Sequence, residues 1–215
     1  MRMFTKAAPA VIGAVMLSVL SACGGSASQT AAPTATPAPA YAAGVTSDTE
    51  YRSDFLDLSF TLPEGWTFGT DDEMTEFFGV GSDMVESELN IGGGPEGSTH
   101  YEFFAYDTSG TPSCAIMTAE DLSAHEGGKL VTVREFVDTL AGQYSEIGSR
   151  DYEIGDSYQK TVAGREFIIL PLSVPDSELL QRNYVFRTGN YMVTITFTAQ
   201  SDSELDELEG DLANI

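Results

Sequence analysis

A formal charge of −23, from 33 acids against 10 Lys and Arg in 215 residues, repels phosphate backbones and anionic lipid, so nucleic acid and electrostatic docking on membranes are excluded as expectations. The balance suits a solvated acidic surface, an attracted cation or a basic partner. Two cysteines and two histidines leave little material for a metal centre or a catalytic triad.

The chain opens on Arg2 and Lys6, an apolar run from Ala7 to Val19, and then Leu20-Ser21-Ala22-Cys23. A basic start, an apolar stretch and small residues before a cleavage point have the form of a secretory signal peptide. The apolar run falls short of the roughly 20 residues that span a bilayer. With Cys23 at the cleavage point, the segment resembles the lipobox of bacterial lipoproteins. That resemblance implies a leader over residues 1–22, a diacylglyceryl group on the Cys23 sulfur, and a chain held on the extracytoplasmic face of a bacterial membrane. Two acyl chains hold stably where a single chain holds only marginally.

Residues 23–50 read as a tether. Gly24 to Thr49 is almost entirely Ala, Thr, Pro, Ser and Gly, with Pro33, Pro37 and Pro39 close together, and such a composition buries too little apolar surface to offset its ordering entropy. Residues 51–215 have the length of one domain. No acid precedes Asp48, so removal of Arg2 and Lys6 with the leader makes the mature chain more acidic still. With Cys23 acylated, Cys114 has no partner for an internal disulfide; its place at a strand start predicts a buried, inert thiol.

Within 51–215 the elements run in order. Leu56, Leu58, Phe60 and Leu62 alternate with Asp57, Ser59 and Thr61, which predicts a half-buried strand. Pro63-Glu64-Gly65 turns it toward Trp66-Thr67-Phe68. Thr70-Asp71-Asp72-Glu73 is a capping box predicting a helix through Phe78, and Ser82 to Asn90 suggests another helical turn or two. His100 to Tyr106 and Ala115 to Thr118 read as strands. A second box, Thr132 to Glu135, opens a helix with Val133, Phe136, Val137, Leu140, Tyr144 and Ile147 on one face, ended by Gly148.

Val162-Ala163-Gly164-Arg165 is a hairpin signal before the apolar run Phe167 to Leu172, where Pro171 predicts an edge strand or a strand end. Gly189-Asn190 is a two-residue hairpin signal. If Thr188 faces Tyr191, Phe186 faces Val193 and Tyr184 faces Ile195, which puts those six residues on one face. A third box, Ser201 to Glu204, opens an acidic helix with Leu205, Leu208 and Leu212 inward. Adjacent hairpins with helices between groups predict an α+β fold, an antiparallel β-sheet with helices packed on it.

Two stretches carry a resemblance. Leu58-Ser59-Phe60-Thr61-Leu62-Pro63-Glu64-Gly65-Trp66 resembles the opening strand and turn of PsbP-like domains. Gly189 to Ala199, followed by the acidic helix, resembles their closing hairpin and helix. The family includes a photosystem II subunit, a Ran-binding import factor and bacterial lipoproteins, and its members mostly bind proteins. The resemblance implies a binding role and carries no functional residue across, because the matching positions are turn and core residues.

Chemical motifs are few. Gly92 to Gly97 satisfies the letters of a dinucleotide fingerprint without the strand before it or the helix after it. His125-Glu126 lacks the second histidine of a zinc protease, and no Gly-x-Ser-x-Gly elbow occurs. The acids at Asp71 to Glu76 and Asp202 to Asp211 lack EF-hand spacing, and acids in a first helical turn are already explained by the macrodipole. The expectation is therefore no catalytic residue, no metal ligand and no cofactor. The partners expected are the membrane through the lipid on Cys23 and an envelope protein, with Tyr101 and Tyr106 as contact candidates beside the Gly92–Gly97 loop. The competing expectation is a lipoprotein that binds a small molecule or cation, or hydrolyses a substrate through Cys114 or Ser113 and a histidine.

Overall fold

The computed structural model describes residues 41–70, 73, 98–125, 127–146, 152–174 and 177–215, and among these residues it holds two antiparallel sheets with two α-helices packed on them. The smaller sheet joins β1 (Val45–Thr46), β2 (Glu50–Ser53), β3 (Leu58–Thr61) and β12 (Leu212–Ala213) in that order. The larger runs β4 (Trp66–Phe68), β5 (Thr99–Asp107), β6 (Cys114–Asp121), β11 (Tyr191–Ala199), β10 (Leu179–Thr188), β9 (Arg165–Val174) and β7 (Glu153–Ile154), and β8 (Tyr158–Val162) pairs with β9 beside β7. The helices are α1 (Val133–Glu146) and α2 (Asp202–Gly210). This is the expected α+β architecture.

The large sheet is buried on both faces. On one side Phe103, Ala105, Met117, Phe167, Ile169, Tyr184, Phe186, Val193, Ile195 and Phe197 meet Tyr51, Leu58 and Phe60 of the small sheet and Leu205 and Leu208 of α2. On the other, Ile168, Leu170, Leu172, Val185 and Met192 meet Phe136, Val137, Leu140 and Tyr144 of α1. The β10–β11 register is the predicted one, with Thr188 opposite Tyr191, Phe186 opposite Val193 and Tyr184 opposite Ile195. Its turn places Gly189 at φ 55, and Asn190 needs no positive φ, which is the glycine position of a type II′ hairpin.

Two of the three capping boxes form in full, and the third forms by half. Glu73 N donates to Thr70 Oγ1 at 3.2 Å while Thr70 N donates to Glu73 Oε2 at 2.8 Å. Glu135 N donates to Thr132 Oγ1 at 3.2 Å and Thr132 N to Glu135 Oε2 at 2.9 Å. Glu204 N donates to Ser201 Oγ at 3.2 Å, but the returning carboxylate takes Gln200 N, one residue earlier. The rest of the helix expected through Phe78, the Ser82–Asn90 and Gly92–Gly97 segments, and Ile147 and Gly148 lie outside the described residues.

Four expectations change. Pro171 sits inside β9 with neighbours on both sides: it faces Arg182 of β10, and its carbonyl accepts Gly155 N at 2.9 Å. It is tolerated there because the far neighbour of β9 switches from β8 to β7 around this position, so the missing N–H falls where the ladder is interrupted. Leu212 is inward as predicted, but it lies in β12 opposite Phe60, after α2 has ended. Alternation puts Ser59 on the outer face, yet it is buried, being flanked by Arg52 and Ala213 in the middle of the small sheet. The tether does not run to residue 50: β1 pairs with β2, Val45 opposite Arg52 and Thr46 opposite Tyr51, and Tyr41 packs on the first core. Composition alone concealed this, because two short edge pairs and one aromatic suffice to fix the segment.

The β8–β9 hairpin turns through Ala163 at φ 48 and Gly164 at φ 80. Both central residues are left-handed, as in a type I′ turn, which favours Asn at the first position; alanine there opposes its own Cβ. Ala163→Asn is expected to raise the unfolding free energy by about 0.5–1 kcal/mol, read as a higher urea midpoint at unchanged m-value.

Candidate functional site

The distinctive geometry lies at the start of β5. The strand slips register between Tyr101, opposite Thr118, and Phe103, opposite Met117, so Glu102 is the extra residue of a β-bulge. A bulge re-aims a side chain that a regular ladder would hold across the sheet. Glu102 accepts Tyr51 Oη at 2.6 Å and Gly44 N at 2.9 Å, and also accepts Tyr41 Oη. The Tyr41 ring stacks on His100 at 3.9 Å and lies 5.3 Å from Tyr191 and 5.4 Å from Phe55. Burial, then the Glu102 hydrogen bond, pushes the Tyr41 and Tyr51 phenols above their ordinary range. Gly44 is required by closeness, since a Cβ there would lie 2.3 Å from the Tyr51 ring.

Beside it a second carboxylate gathers hydroxyls. Glu120 at the end of β6 is buried; it accepts Ser98 Oγ at 2.9 Å and Thr99 Oγ1, and His125 Nε2 lies 2.5 Å from its Oε1. The order is hydroxyl, carboxylate, imidazole. A hydrolytic relay needs the imidazole in the middle so that the nucleophile's proton has a base to go to; here Ser98 hands its hydrogen bond to the carboxylate. The dyad ties the turn around Leu122–Ala124 back to the sheet, helped by Asp121 Oδ1, which accepts Ser123 N at 2.8 Å.

The contact candidates part company. Tyr101 is 41% exposed, with its phenol raised by burial and then by the Glu120 charge. Tyr106 is half-buried; its hydroxyl donates to Glu73 Oε1 at 3.0 Å and its ring lies 5.4 Å from Phe104. Their partners on β6 are Thr118 and Cys114, so their backbone positions stand about 13 Å apart along the strand. Cys23 and the Gly92–Gly97 loop lie outside the described residues. Among the described residues no helix is long and apolar enough to cross a membrane.

Cys114 stands at the opposite end of β6 from Ala119, the residue facing His100, about 16 Å along the strand. Neither histidine can serve it as a base, which removes the hydrolytic arrangement built on Cys114. Burial pushes its thiol up to about 11, with a hydrogen bond to Thr198 acting in the opposite sense. Ser113 is buried, and its Oγ has no partner among the described residues. On α2, Asp202 and Asp206 pair with Arg182 at 2.7 and 2.6 Å, and Glu209 pairs with Lys160 at 2.5 Å. Half of that acidic run therefore serves to dock the helix on the sheet.

Sequence reasoning missed Tyr41, Glu102 and Glu120. A lone acid set among aromatics, as in His100-Tyr101-Glu102-Phe103-Phe104, was the available signal for the bulge.

No family model and no curated protein matches the chain. Among solved structures it is similar to cyanobacterial PsbP (CyanoP) from Synechocystis sp. PCC 6803, with 13% identity, a TM-score of 0.48, and coverage of 82% of this chain and 98% of that one. It is also similar to a crystal structure from Bacteroides thetaiotaomicron VPI-5482, with 10% identity, a TM-score of 0.38, and coverage of 78% of this chain and 48% of that one.

With its thiol near 11 against an ordinary 9.0, Cys114 is expected to alkylate about a hundredfold more slowly than a free thiol at pH 8, timed with iodoacetamide and mass spectrometry, and to reach the free rate in denaturant. Tyr41, Tyr51, Tyr144 and Tyr184 all have raised phenols in which burial is the leading cause. A raised folded value favours the neutral form, so this stabilisation is whole below about pH 10 and is lost as pH rises past it. Absorbance at 295 nm should therefore show these four ionising together with alkaline unfolding, after the exposed tyrosines.

Proposed function

We propose that the chain is an extracytoplasmic, lipid-anchored module of PsbP-like type that acts by binding a protein of the cell envelope, without catalysis. The observation that carries this reading is the pairing of Leu20-Ser21-Ala22-Cys23 after a basic and apolar start with a folded domain that is already pinned at Tyr41. Cleavage before Cys23 leaves residues 24–40 between the lipid and the first fixed side chain. However they are arranged, they span at most about 60 Å, less than a tether to residue 50 would. The domain is thereby restricted to partners near the membrane.

The PsbP-like assignment is supported by the two stretches that suggested it. Leu58 to Trp66 folds as β3, its turn and the start of β4, and Gly189 to Ala199 closes the β10–β11 hairpin before α2. A binding role is supported by Tyr101, a large ring 41% exposed on the strand whose bulge holds the N-terminal segment. Aromatic residues of this kind anchor interfaces more often than chance.

Two measurements test the reading. In a bacterial host that processes lipoproteins, the wild-type chain should fractionate with membranes and label with a palmitate analogue, while Cys23→Ser remains unlabelled and leaves the membrane fraction. Crosslinking in cells should then recover a stoichiometric envelope protein with wild type, and Tyr101→Ala should cut that yield at least tenfold without lowering the urea midpoint. Full membrane retention of Cys23→Ser, or no partner under gentle crosslinking, would overturn it.

A further inference from the structure

The turn between β6 and α1 holds a leucine outward. Leu130 is 83% exposed, more than any other large apolar side chain among the described residues. A single exposed leucine is ordinary on a protein surface, but this one is held in place. Gly127 takes φ 75, Leu130 N donates to the Gly127 carbonyl at 3.0 Å, and Val131 N donates to the Gly128 carbonyl at 3.1 Å. A Cβ on Gly128 would lie 2.2 Å from the Leu122 carbonyl oxygen, so the turn is seated against Leu122–Ala124. Arg187 of β10 grips it from the other side, donating to the Lys129 and Val131 carbonyls at 2.9 and 2.7 Å. Val131 and Val133 pack on the core beneath α1, and Leu130 beside them does not.

The charge around this leucine runs against that of the chain. Arg52, Lys160, Arg165 and Arg182 each pair with a carboxylate. The other cations among the described residues are Lys129, Arg134 and Arg187, and no described carboxylate lies within ion-pair distance of them. All three belong to this turn. Lys129 lies within it and is exposed, Arg134 is exposed in the first turn of α1, where it donates to Ser157 Oγ at 2.6 Å, and Arg187 is bonded to its carbonyls. Of the described acids near it in the chain, Asp121 faces Ser123 N and Glu135 faces the Thr132 cap. The turn is therefore close to neutral in a chain of −23, and screening over about 8 Å at physiological salt limits what distant acids contribute.

Its place in the fold is the end of the large sheet where the chain enters the domain. Leu122 N, just ahead of the turn, donates at 2.8 Å to the Asn190 carbonyl in the β10–β11 turn. Tyr41, the first described residue, packs 5.3 Å from Tyr191, which follows that same β10–β11 turn. Tyr41 and Val131 take opposite faces of this end, one on the core shared with the small sheet and one on the core beneath α1. With residues 24–40 spanning at most about 60 Å, an anchored domain meets its own bilayer at an effective concentration on the order of millimolar. A contact too weak to hold a free protein then suffices to orient a tethered one.

We propose that this end of the domain rests on the phospholipid headgroup layer of the anchoring membrane, with Leu130 entering the interface and Lys129 and Arg134 beside the lipid phosphates. The contact rests on the lipid anchor at Cys23 and adds an orientation to it. A bilayer suits the turn better than an acidic protein does, because a headgroup layer offers phosphates and an apolar boundary together, and the tether delivers this end of the domain to it. Lysine and arginine stems lie along apolar surface while their charged heads reach the phosphates.

The test places the acylated chain in nanodiscs of phosphatidylcholine and phosphatidylglycerol that carry a gadolinium-chelating lipid, with the leucine methyls labelled. Paramagnetic relaxation of the Leu130 methyls is expected to be at least ten times that of the Leu179 methyls, which lie at the far end of β10, about 26 Å from Arg187 along the strand. Lys129→Glu changes an exposed side chain and leaves its carbonyl with Arg187; it should cut the Leu130 relaxation at least threefold without moving the Leu179 signals or the urea midpoint. Equal relaxation at Leu130 and Leu179, unchanged Leu130 relaxation after Lys129→Glu, or a Lys129 crosslink to an acidic protein in place of lipid contact would overturn the proposal. The intact mass of the same sample reports acylation, so a chain without its anchor is told apart from an anchored chain whose Leu130 stays clear of the lipid.

Discussion

The fold depends on β10 and β11 being buried on both faces. Val193, Ile195 and Phe197 point into the core shared with the small sheet, and Met192 points into the core beneath α1. Nonpolar burial of this kind has no direction of its own, so something must fix where α1 sits. That role falls to a polar network under its last turns. Asn183 Oδ1 accepts Thr196 Oγ1 at 2.8 Å and Gln181 Nε2 at 3.3 Å, while Gln181 Nε2 also reaches Tyr144 Oη at 2.8 Å. A buried network that satisfies its members specifies one arrangement where apolar packing alone would tolerate several. The helix carrying Tyr144 is thus set against one pair of strands, and the second core forms around it.

Such two-sided burial also governs what the sequence could reveal. The β10–β11 register was legible because strict alternation and a Gly-Asn turn agree on one pairing, and a one-residue slip of either strand would move its residues to the opposite face. Capping boxes were legible because their chemistry is local. The path of β9 was not: its proline argued for an edge, and only the exchange of β7 for β8 along its far side, a non-local event, makes the position harmless. The N-terminal boundary was hidden for a related reason. Residues 41–50 have a tether's composition, and Tyr41 and Gly44 are held by a carboxylate 61 and 58 residues away in sequence. Of the contact candidates, Tyr101 reaches the surface, whereas Tyr106 donates to Glu73, 33 residues away, a contact that local pattern does not describe.

Charge obeys the same division between local and distant. A net −23 would load both helices and sheets with repulsion if the acids were evenly spread. Instead α2 brings its acids to Arg182 and Lys160 and uses them as a docking face, with Tyr184 Oη adding a hydrogen bond to Glu209 at 3.0 Å. Those cations are consumed in holding the helix. Arg187 is held by the carbonyls of Gly189, Val131 and Lys129, whereas Arg165 combines the Asp57 carbonyl with an ion pair to the Asp57 carboxylate at 3.6 Å. Arg187 differs from Arg182 in its acceptor: a carboxylate neutralises a guanidinium, while a carbonyl only orients it.

The bulge at Glu102 joins these threads. A carboxylate withdrawn from water in an already acidic chain is tolerated when donors surround it, and its three donors, Tyr41, Gly44 and Tyr51, all come from one short segment. The segment in turn has little else to order it: β1 is two residues long, and Val45 is 72% exposed. Each side therefore depends on the other. Removing the carboxylate would free the arm, and removing the arm would leave a half-buried charge on the strand that also carries His100 and Tyr101. Glu102 takes the face of His100, which stacks on Tyr41, and the extra residue in β5 lets Phe103, opposite Met117, return to that same face and stay in the core. The single inserted residue thus couples the point where the chain enters the domain to the strand that presents its most exposed tyrosine.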